Sequence, residues 1–198
     1  MILRYFLPLY LVAYVIAAFF CRSYVVWKKT GVNPVVFKGS DSTHDFIGRV
    51  FKLLFVLLVA VVFVYSFLPD AYKYLLPIPW LERSWSKSTG VILLTASLAW
   101  TVLAQAQMGE SWRIGIDDAH ETRLVKIGVF GISRNPIFLG MMVTLFGLFL
   151  VIPNALTLLV IVVGVVVINI QVRLEEEYLK TTHGDEYVSY SQRVRRWI

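Results

Sequence analysis

The chain has 198 residues, of which 58% are hydrophobic and 16% are charged, and its mean hydropathy is +0.68. Soluble domains contain about 45–50% apolar and about 25% charged residues, so the composition excludes an ordinary soluble globule and predicts an all-α membrane protein. The net charge of +6 does not indicate nucleic-acid binding, because the basic residues flank apolar runs and form no recognition motif.

Cysteine and histidine usage excludes two further kinds of site. Cys21 is the one cysteine, so neither an internal disulfide nor a multi-cysteine metal site can form. His44, His120 and His183 lie far apart and lack a metal-ligand spacing such as His-Glu-x-x-His. We therefore expect no metal.

Three apolar runs in the first half of the chain predict three membrane helices. The first runs from Ile2 to about Trp27; it is long for a signal peptide, and no small-residue cleavage pattern follows it. The second runs from about Phe46 to Leu68 and the third from about Thr89 to Met108. Gln105 and Gln107, near the end of the third helix, are expected to face protein or water rather than lipid.

The second part of this single domain, residues 110–198, follows the three-helix part of residues 1–109 and contains a predicted helical hairpin. Its fourth helix runs from Pro136 to Ile152, Pro153-Asn154 makes the turn, and its fifth helix runs from Ala155 to about Gln171. Both helices are at the short end of the roughly 17–25 residues that cross a bilayer, which favours a tight hairpin over two independent crossings.

The charge distribution predicts the orientation of five transmembrane helices. Four Lys and Arg residues would lie on the side of the N-terminus and fifteen on the side of the C-terminal tail. The positive-inside rule therefore predicts an outside N-terminus and a cytoplasmic tail, in the plasma (inner) membrane if the organism is prokaryotic. The tail is expected to continue helix five, to break at His183-Gly184 and to resume as a short helix.

Residues with distinctive chemistry follow one another in a definite order around the hairpin. Each motif taken alone has an ordinary structural explanation. A run of glutamates is typical of a solvated helix end, and a single arginine is typical of an anchor at the membrane boundary. The order and spacing of the motifs together favour a functional site. The motifs are Leu124-Val125-x-x-Gly128-x-Phe130, Arg134-Asn135-Pro136-x-Phe138-x-Gly140, Glu175-Glu176 and Gly184-x-x-Tyr187-x-x-Tyr190.

This series of motifs resembles the integral-membrane methyltransferases, a superfamily that holds the isoprenylcysteine carboxyl methyltransferases and the phospholipid N-methyltransferases. The resemblance covers about residues 111–197. It implies a cytoplasm-facing pocket for S-adenosyl-L-methionine and a lateral opening for a lipid-soluble or amphipathic acceptor, which would be a carboxylate or an amine.

The resemblance also implies roles for individual residues. Backbone groups of the loop 122–125 would contact the adenosine, the ring of Phe130 would pack on it, and Glu175 would bind the methionine or ribose end. Charge adds Arg134, because the carboxylate of the cofactor needs a cation or the N–H groups at the start of helix four. The expected cofactor-binding residues are Thr122, Arg123, Leu124, Val125, Phe130, Arg134, Asn135, Pro136, Ile137, Phe138 and Glu175.

Three positions depart from the family pattern. Asn135 stands where the family usually has His, and Phe138 where it has Tyr; Asn cannot change its charge near pH 7, which excludes proton transfer there. Gln171 stands where the carboxyl methyltransferases hold their substrate with Arg. The nearest arginine, Arg173, is about 200° further around the helix, which weakens prenylcysteine as the acceptor.

The candidate catalytic residues on the acceptor side are Gln171, Arg173 and Glu176. A carboxylate acceptor is already nucleophilic, whereas a protonated amine must first lose a proton, and Glu176 is the nearest candidate base.

The sequence is also compatible with two other functions. A membrane reductase of the sterol-reductase type shares a related C-terminal architecture but uses a reduced nicotinamide cofactor. A non-catalytic scaffold would keep the fold with a degenerate pocket, and Asn135 and Gln171 favour that reading. The sequence determines neither the acceptor nor the oligomeric state.

Overall fold

The computed structural model describes residues 2–36, 42–115 and 122–198, so His120 lies outside the described part. The regular elements of these residues are all helical, which confirms the all-α class. The α-helices are α1 (Ile2–Val15), α2 (Arg22–Thr30), α3 (Thr43–Phe67), α4 (Pro69–Tyr72), α5 (Ser84–Met108), α6 (Pro136–Val151) and α7 (Ala155–Arg193).

The first two helices of the structure are longer than their apolar runs predict. A π-helical segment, Ile16–Cys21, joins α1 to α2, so the first helix continues to Thr30. α3 begins before the predicted Phe46, because the Ser42 hydroxyl accepts the N–H of Asp45 at 3.2 Å and caps the helix.

Four helical segments are long and apolar enough to cross a membrane: Ile2–Thr30, Thr43–Phe67, Ser84–Ser111 and Ala155–Arg193. The chain therefore has the architecture of an integral membrane protein. The fifth apolar helix, α6, has only 16 residues, so five crossings and their orientation stay predictions.

Facing glycines bring α5 and α6 to backbone contact. A Cβ atom placed on Gly90 would lie 2.6 Å from the carbonyl oxygen of Gly147, and one placed on Gly147 would lie 3.1 Å from that of Gly90. At the other end of the pair, Gly140 packs directly on the Thr101 hydroxyl. Small residues allow such close approach between membrane helices.

Polar contacts fix the same pair at both ends. The Ser86 hydroxyl donates to the carbonyl of Leu150 at 3.0 Å, and the indole N–H of Trp100 donates to that of Pro136 at 2.8 Å. α6 therefore runs antiparallel to α5 over its whole length. Gln105 and Gln107 on α5 do face protein: they bond the carbonyl of Ala18 and the N–H of Val129.

The predicted hairpin turn is present, and Asn154 makes it. Its side chain accepts the N–H of Thr157 at 2.9 Å, and the Thr157 hydroxyl accepts the N–H of Asn154, which forms a capping box at the start of α7.

α7 continues past the apolar part of the predicted fifth helix into the tail, as expected, and ends at Arg193. Its apolar part ends at Val172, because Arg173 is the first charged residue of the helix, and we treat the residues from 173 onward as lying outside the membrane-spanning part. The predicted break is confirmed at Gly184, whose φ of 52° turns the last segment in a new direction.

Candidate functional site

The candidate site lies where the start of α6, the polar part of α7 and the C-terminal residues meet. The N–H of Arg134 donates to the carbonyl of Arg195 at 3.0 Å. The Ser133 hydroxyl and the Asn135 amide both donate to the carbonyl of Arg196, at 3.2 and 3.3 Å. The C-terminal segment is thus folded back on the turn that opens α6.

A charged cluster, formed by Arg134, Asn135, Glu176 and Arg196, holds this arrangement together. Two guanidinium groups contact the Glu176 carboxylate: the group of Arg196 at 2.6 Å and the group of Arg134 at 3.2 Å. The Asn135 amide donates to the same carboxylate at 3.1 Å. The side chain of Glu176 is only 12% exposed, so solvent screens these contacts weakly.

The environment of Glu176 favours its ionised form. Burial by itself would raise the pKa of the carboxyl group, but the hydrogen bonds from Arg196 and the charge of Arg134 outweigh it and lower the pKa below its usual value. The same hydrogen bonds raise the pKa of Arg196. Glu176 is therefore better suited to holding the C-terminal segment than to accepting a proton, which disfavours its predicted role as a base.

Substituting Glu176 with glutamine should release the C-terminal segment. Hydrogen bonds to charged groups contribute about 1.5–3 kcal/mol, so we expect a loss of unfolding free energy of that size and faster tryptic cleavage after Arg193, Arg195 and Arg196. The pKa of Glu176 is lower in the folded state than in the unfolded chain, where it is about 4.3. Its contribution to the free energy of unfolding is therefore complete above the unfolded pKa and is lost as the pH falls through the folded pKa.

Thermal unfolding of wild type and Glu176→Gln measures this difference against pH. The difference in unfolding free energy between the two proteins should be constant from about pH 5 upward and should vanish well below about pH 4. Glu177→Gln, at the exposed neighbouring position, is the matched control. Equal cleavage of the two variants at neutral pH would show that the charged cluster does not hold the segment.

A second group of polar side chains surrounds Gln171 at the membrane end of the site. The buried amide of Gln171 donates to the Glu175 carboxylate at 2.8 Å and lies 3.5 Å from Nδ1 of His44. Burial raises the pKa of Glu175 to about 7, against the opposite effect of the hydrogen bond from Gln171. Glu175 therefore differs sharply from its neighbour Glu176 and can gain or lose its proton near neutral pH.

Two tyrosines close the site from the segment after Gly184. The Tyr190 hydroxyl donates to the carbonyl of Phe130 at 2.7 Å, and its ring meets that of Tyr187 edge to face, with centroids 6.1 Å apart. Tyr187 is 4% exposed, yet its hydroxyl has no hydrogen-bond partner in the described part of the chain, and the same is true of Nε of Arg134. Buried polar groups usually have partners, so these two groups can each bond a ligand.

The apolar residues predicted to bind the cofactor lie together beside these groups. Phe130 is buried with Val129 and Ala104, and Val125 and Ile137 pack against them. Pro136 is buried at the start of α6, whereas Thr122, Leu124 and Phe138 are partly buried.

Two predicted residues are placed less favourably. The N–H of Arg123 donates to the Ser111 hydroxyl at 3.1 Å, and that hydroxyl donates to the carbonyl of Arg123 at 3.0 Å. The backbone of Arg123 could therefore bond a cofactor only after these two hydrogen bonds break. Arg173 lies on the exposed side of α7 and apart from the buried Gln171, in agreement with the angle expected between them.

Sequence reasoning missed His44 and Tyr187 as site residues. His44 is 127 residues from Gln171 in the chain, and no local pattern connects the two. Tyr187 had a signal in Gly-x-x-Tyr-x-x-Tyr, but a pair of tyrosines at helical spacing is more often a packing feature.

The fold and the site define a helical membrane protein with a cluster of charged residues at one end of its C-terminal hairpin. The family model described as "Phospholipid methyltransferase" matches residues 85–186, a little over half of the chain. The chain therefore belongs to the phospholipid methyltransferase family, within the membrane methyltransferase superfamily, which confirms the resemblance. Membership implies a methyltransferase activity in general.

Part of the chain is also similar to an uncharacterized protein of Haemophilus influenzae strain Rd. The two are 39% identical over 62 residues, which cover 31% of this chain and 98% of that protein. This similarity carries no further functional information.

Proposed function

We propose that the protein transfers a methyl group from S-adenosyl-L-methionine to a lipid-soluble or amphipathic acceptor. The observation that carries this proposal is the meeting of one carboxyl group and two buried donors in the site. A carboxyl group with a raised pKa, Glu175, lies in the same site as two buried donors without partners, Nε of Arg134 and the hydroxyl of Tyr187.

These groups fit the charges of the cofactor. Glu175 would receive its α-ammonium group, and Arg134 with Tyr187 would receive its carboxylate. Phe130 and Ile137 offer an apolar wall for the nucleoside. The bound cofactor supplies an activated methyl group, and the protein aligns the acceptor with it and excludes water.

The acceptor would be held at Gln171, whose amide connects Glu175 and His44. For an amine acceptor we propose His44 as the base in place of Glu176, because its Nδ1 lies 3.5 Å from the Gln171 amide, whereas the lowered pKa of Glu176 makes that carboxylate a weak base. A carboxylate acceptor would need no base. Arg173, on the exposed side of α7, would act only at the rim of the site.

We further propose five membrane crossings, with the N-terminus outside and the tail in the cytoplasm. The excess of Lys and Arg on the tail side supports this orientation. The site would then face the compartment that holds the water-soluble cofactor, and in a prokaryote the membrane would be the plasma (inner) membrane.

Ligand-dependent thermal stability in detergent tests the proposal against both alternatives. S-adenosylhomocysteine at 100 times its dissociation constant should add about 2.7 kcal/mol, and NADPH should add nothing. Stabilisation by NADPH alone would favour a reductase. A folded protein that responds to neither ligand would favour a non-catalytic scaffold.

A further inference from the structure

The end of the C-terminal segment, residues 187–198, carries more positive charge than the candidate site uses. It contains three arginines and no acidic residue. Arg196 enters the charged cluster, where its guanidinium contacts Glu176. The side chains of Arg193 and Arg195 are exposed instead, and Nε of Arg193 bonds the carbonyl of Ser189 in its own helix. These two cations are therefore accessible to a partner outside the chain.

Exposed apolar side chains border these arginines. The Ser133 hydroxyl donates to the carbonyl of Arg196, so the turn before α6 runs beside the end of the chain. Ile132 directly precedes this contact on the turn and is 51% exposed, and Ile198, two residues after Arg196, is 69% exposed. Exposed apolar side chains beside cations are typical of segments that bind the surface of an anionic membrane.

The position of this face along the helices places it at the boundary of the membrane. The Asn135 amide bonds the carbonyl of Arg196, and Pro136 then begins the apolar helix α6. On α7, Glu176 contacts Arg196 and lies about 6 Å beyond Val172, where the apolar part ends. The headgroup region extends about 5–8 Å beyond the hydrocarbon core on each side. The arginines therefore lie at headgroup level, whichever end of the chain is cytoplasmic.

We propose that Arg193 and Arg195 bind the phosphate groups of anionic phospholipids in the surrounding membrane, while Ile132 and Ile198 insert between the upper parts of the acyl chains. The positive charge selects an anionic lipid over phosphatidylcholine, whose headgroup brings a cation of its own to the same surface. It also disfavours a second copy of this face as the partner, because two copies would bring like charges together.

Bound lipid would hold the C-terminal segment against the candidate site. The carbonyls of Arg195 and Arg196 bond the turn before α6, and Tyr187 and Tyr190 of the same segment close the site. A membrane rich in anionic lipid would thus keep the site closed for more of the time than a neutral one. This consequence for methyl transfer rests on the proposed function, whereas the lipid contact does not.

Hydrogen–deuterium exchange of the whole protein in lipid nanodiscs, without cofactor, tests the lipid contact. The discs contain either phosphatidylcholine alone or a mixture with phosphatidylglycerol. The reporter is the amide of Arg134, which bonds the carbonyl of Arg195 at 3.0 Å and exchanges when the segment opens. One arginine at an anionic surface gives about a five-fold preference, so two should slow this exchange about 25-fold in the anionic discs.

Charge variants separate this contact from a general effect of an anionic surface on exchange. Arg193→Gln with Arg195→Gln should lose most of the difference between the discs, whereas Arg193→Lys with Arg195→Lys should keep it. Lys73→Gln with Arg83→Gln is the matched control, because it removes the same charge from exposed positions in the connection between α3 and α5. The control should keep the full difference.

Equal exchange of the Arg134 amide in both kinds of disc, or a slowing that survives in the glutamine variant, would overturn the proposal. A slowing in neutral discs that hold two copies of the protein, but not in those that hold one, would assign the face to a second copy and overturn it as well. Cofactor is absent throughout, so each of these results would leave the methyltransferase proposal standing.

Discussion

Replacing Glu175 with alanine is expected to abolish the stabilisation that S-adenosylhomocysteine gives to the wild type. Glu175 provides the negative charge that we assign to the α-ammonium group, which S-adenosylhomocysteine shares with the cofactor, and its removal leaves that cation unpaired in a partly buried site. At a ligand concentration that gives the wild type about 2.7 kcal/mol, the variant should gain close to zero. Thermal unfolding in detergent, with and without ligand, measures the difference.

Glu177→Ala is the control for this experiment, since Glu177 lies two residues away on the exposed side of the same helix. It should keep the full stabilisation. If both variants lose it equally, the carboxylates act as a general negative field rather than through one positioned group.

The response to S-adenosylhomocysteine should also depend on pH through Glu175. Its pKa is raised to about 7, so the carboxyl group is partly protonated near neutral pH and must ionise to hold a cation. Stabilisation by the ligand should therefore increase from about pH 6 to about pH 8. In Glu175→Gln this increase should disappear.

The second large effect is expected at the contact between α5 and α6, where Gly90→Leu should separate the two helices. A Cβ at Gly90 would lie 2.6 Å from the carbonyl oxygen of Gly147 and 3.0 Å from the backbone nitrogen of Val151, and backbone atoms cannot rotate away. Overpacking usually costs about 1–3 kcal/mol, and we expect about 3 kcal/mol in unfolding free energy here. The bond between Trp100 and Pro136 should weaken too, which would reduce cofactor binding at a distance.

Ala96→Leu is the control for a general effect of leucine on the helix, because Ala96 lies on the exposed face of α5 and not at its contact with α6. This control should unfold like the wild type. Leucine is a better helix former than glycine by up to about 1 kcal/mol, so propensity alone would stabilise Gly90→Leu. A variant as stable as the wild type would show that the helices do not touch at Gly90.

Much of the fold could be predicted because it depends on local chemistry. Long apolar runs give the helices, Pro153-Asn154 gives the turn, and Gly184 gives the break in α7. The predicted starts were late for two helices: α3 begins at Thr43, capped by the Ser42 hydroxyl, and α5 begins at Ser84 rather than at Thr89. The continuation of α7 beyond Val172 could also be predicted, because the charged residues that follow keep a helix-forming sequence as far as Gly184.

The site was predictable only in part, because the decisive contacts join distant residues. The order of motifs identified Arg134, Asn135, Glu175 and Glu176 as site residues. No pattern along the chain indicated that Glu175 and Glu176 would meet opposite environments, one with a raised and one with a lowered pKa. Burial raises the pKa of Glu175, whereas Arg196 and Arg134, both distant in the chain, lower the pKa of Glu176.

The charged cluster has an evolutionary consequence. A carboxylate that satisfies two guanidinium groups cannot be lost alone, because its loss leaves both positive charges facing each other in a weakly screened space. Homologous chains should therefore change positions 134, 176 and 196 in concert, through charge swaps or joint replacement by neutral side chains. A set of relatives in which the three positions drift independently would mean that selection does not act on this contact.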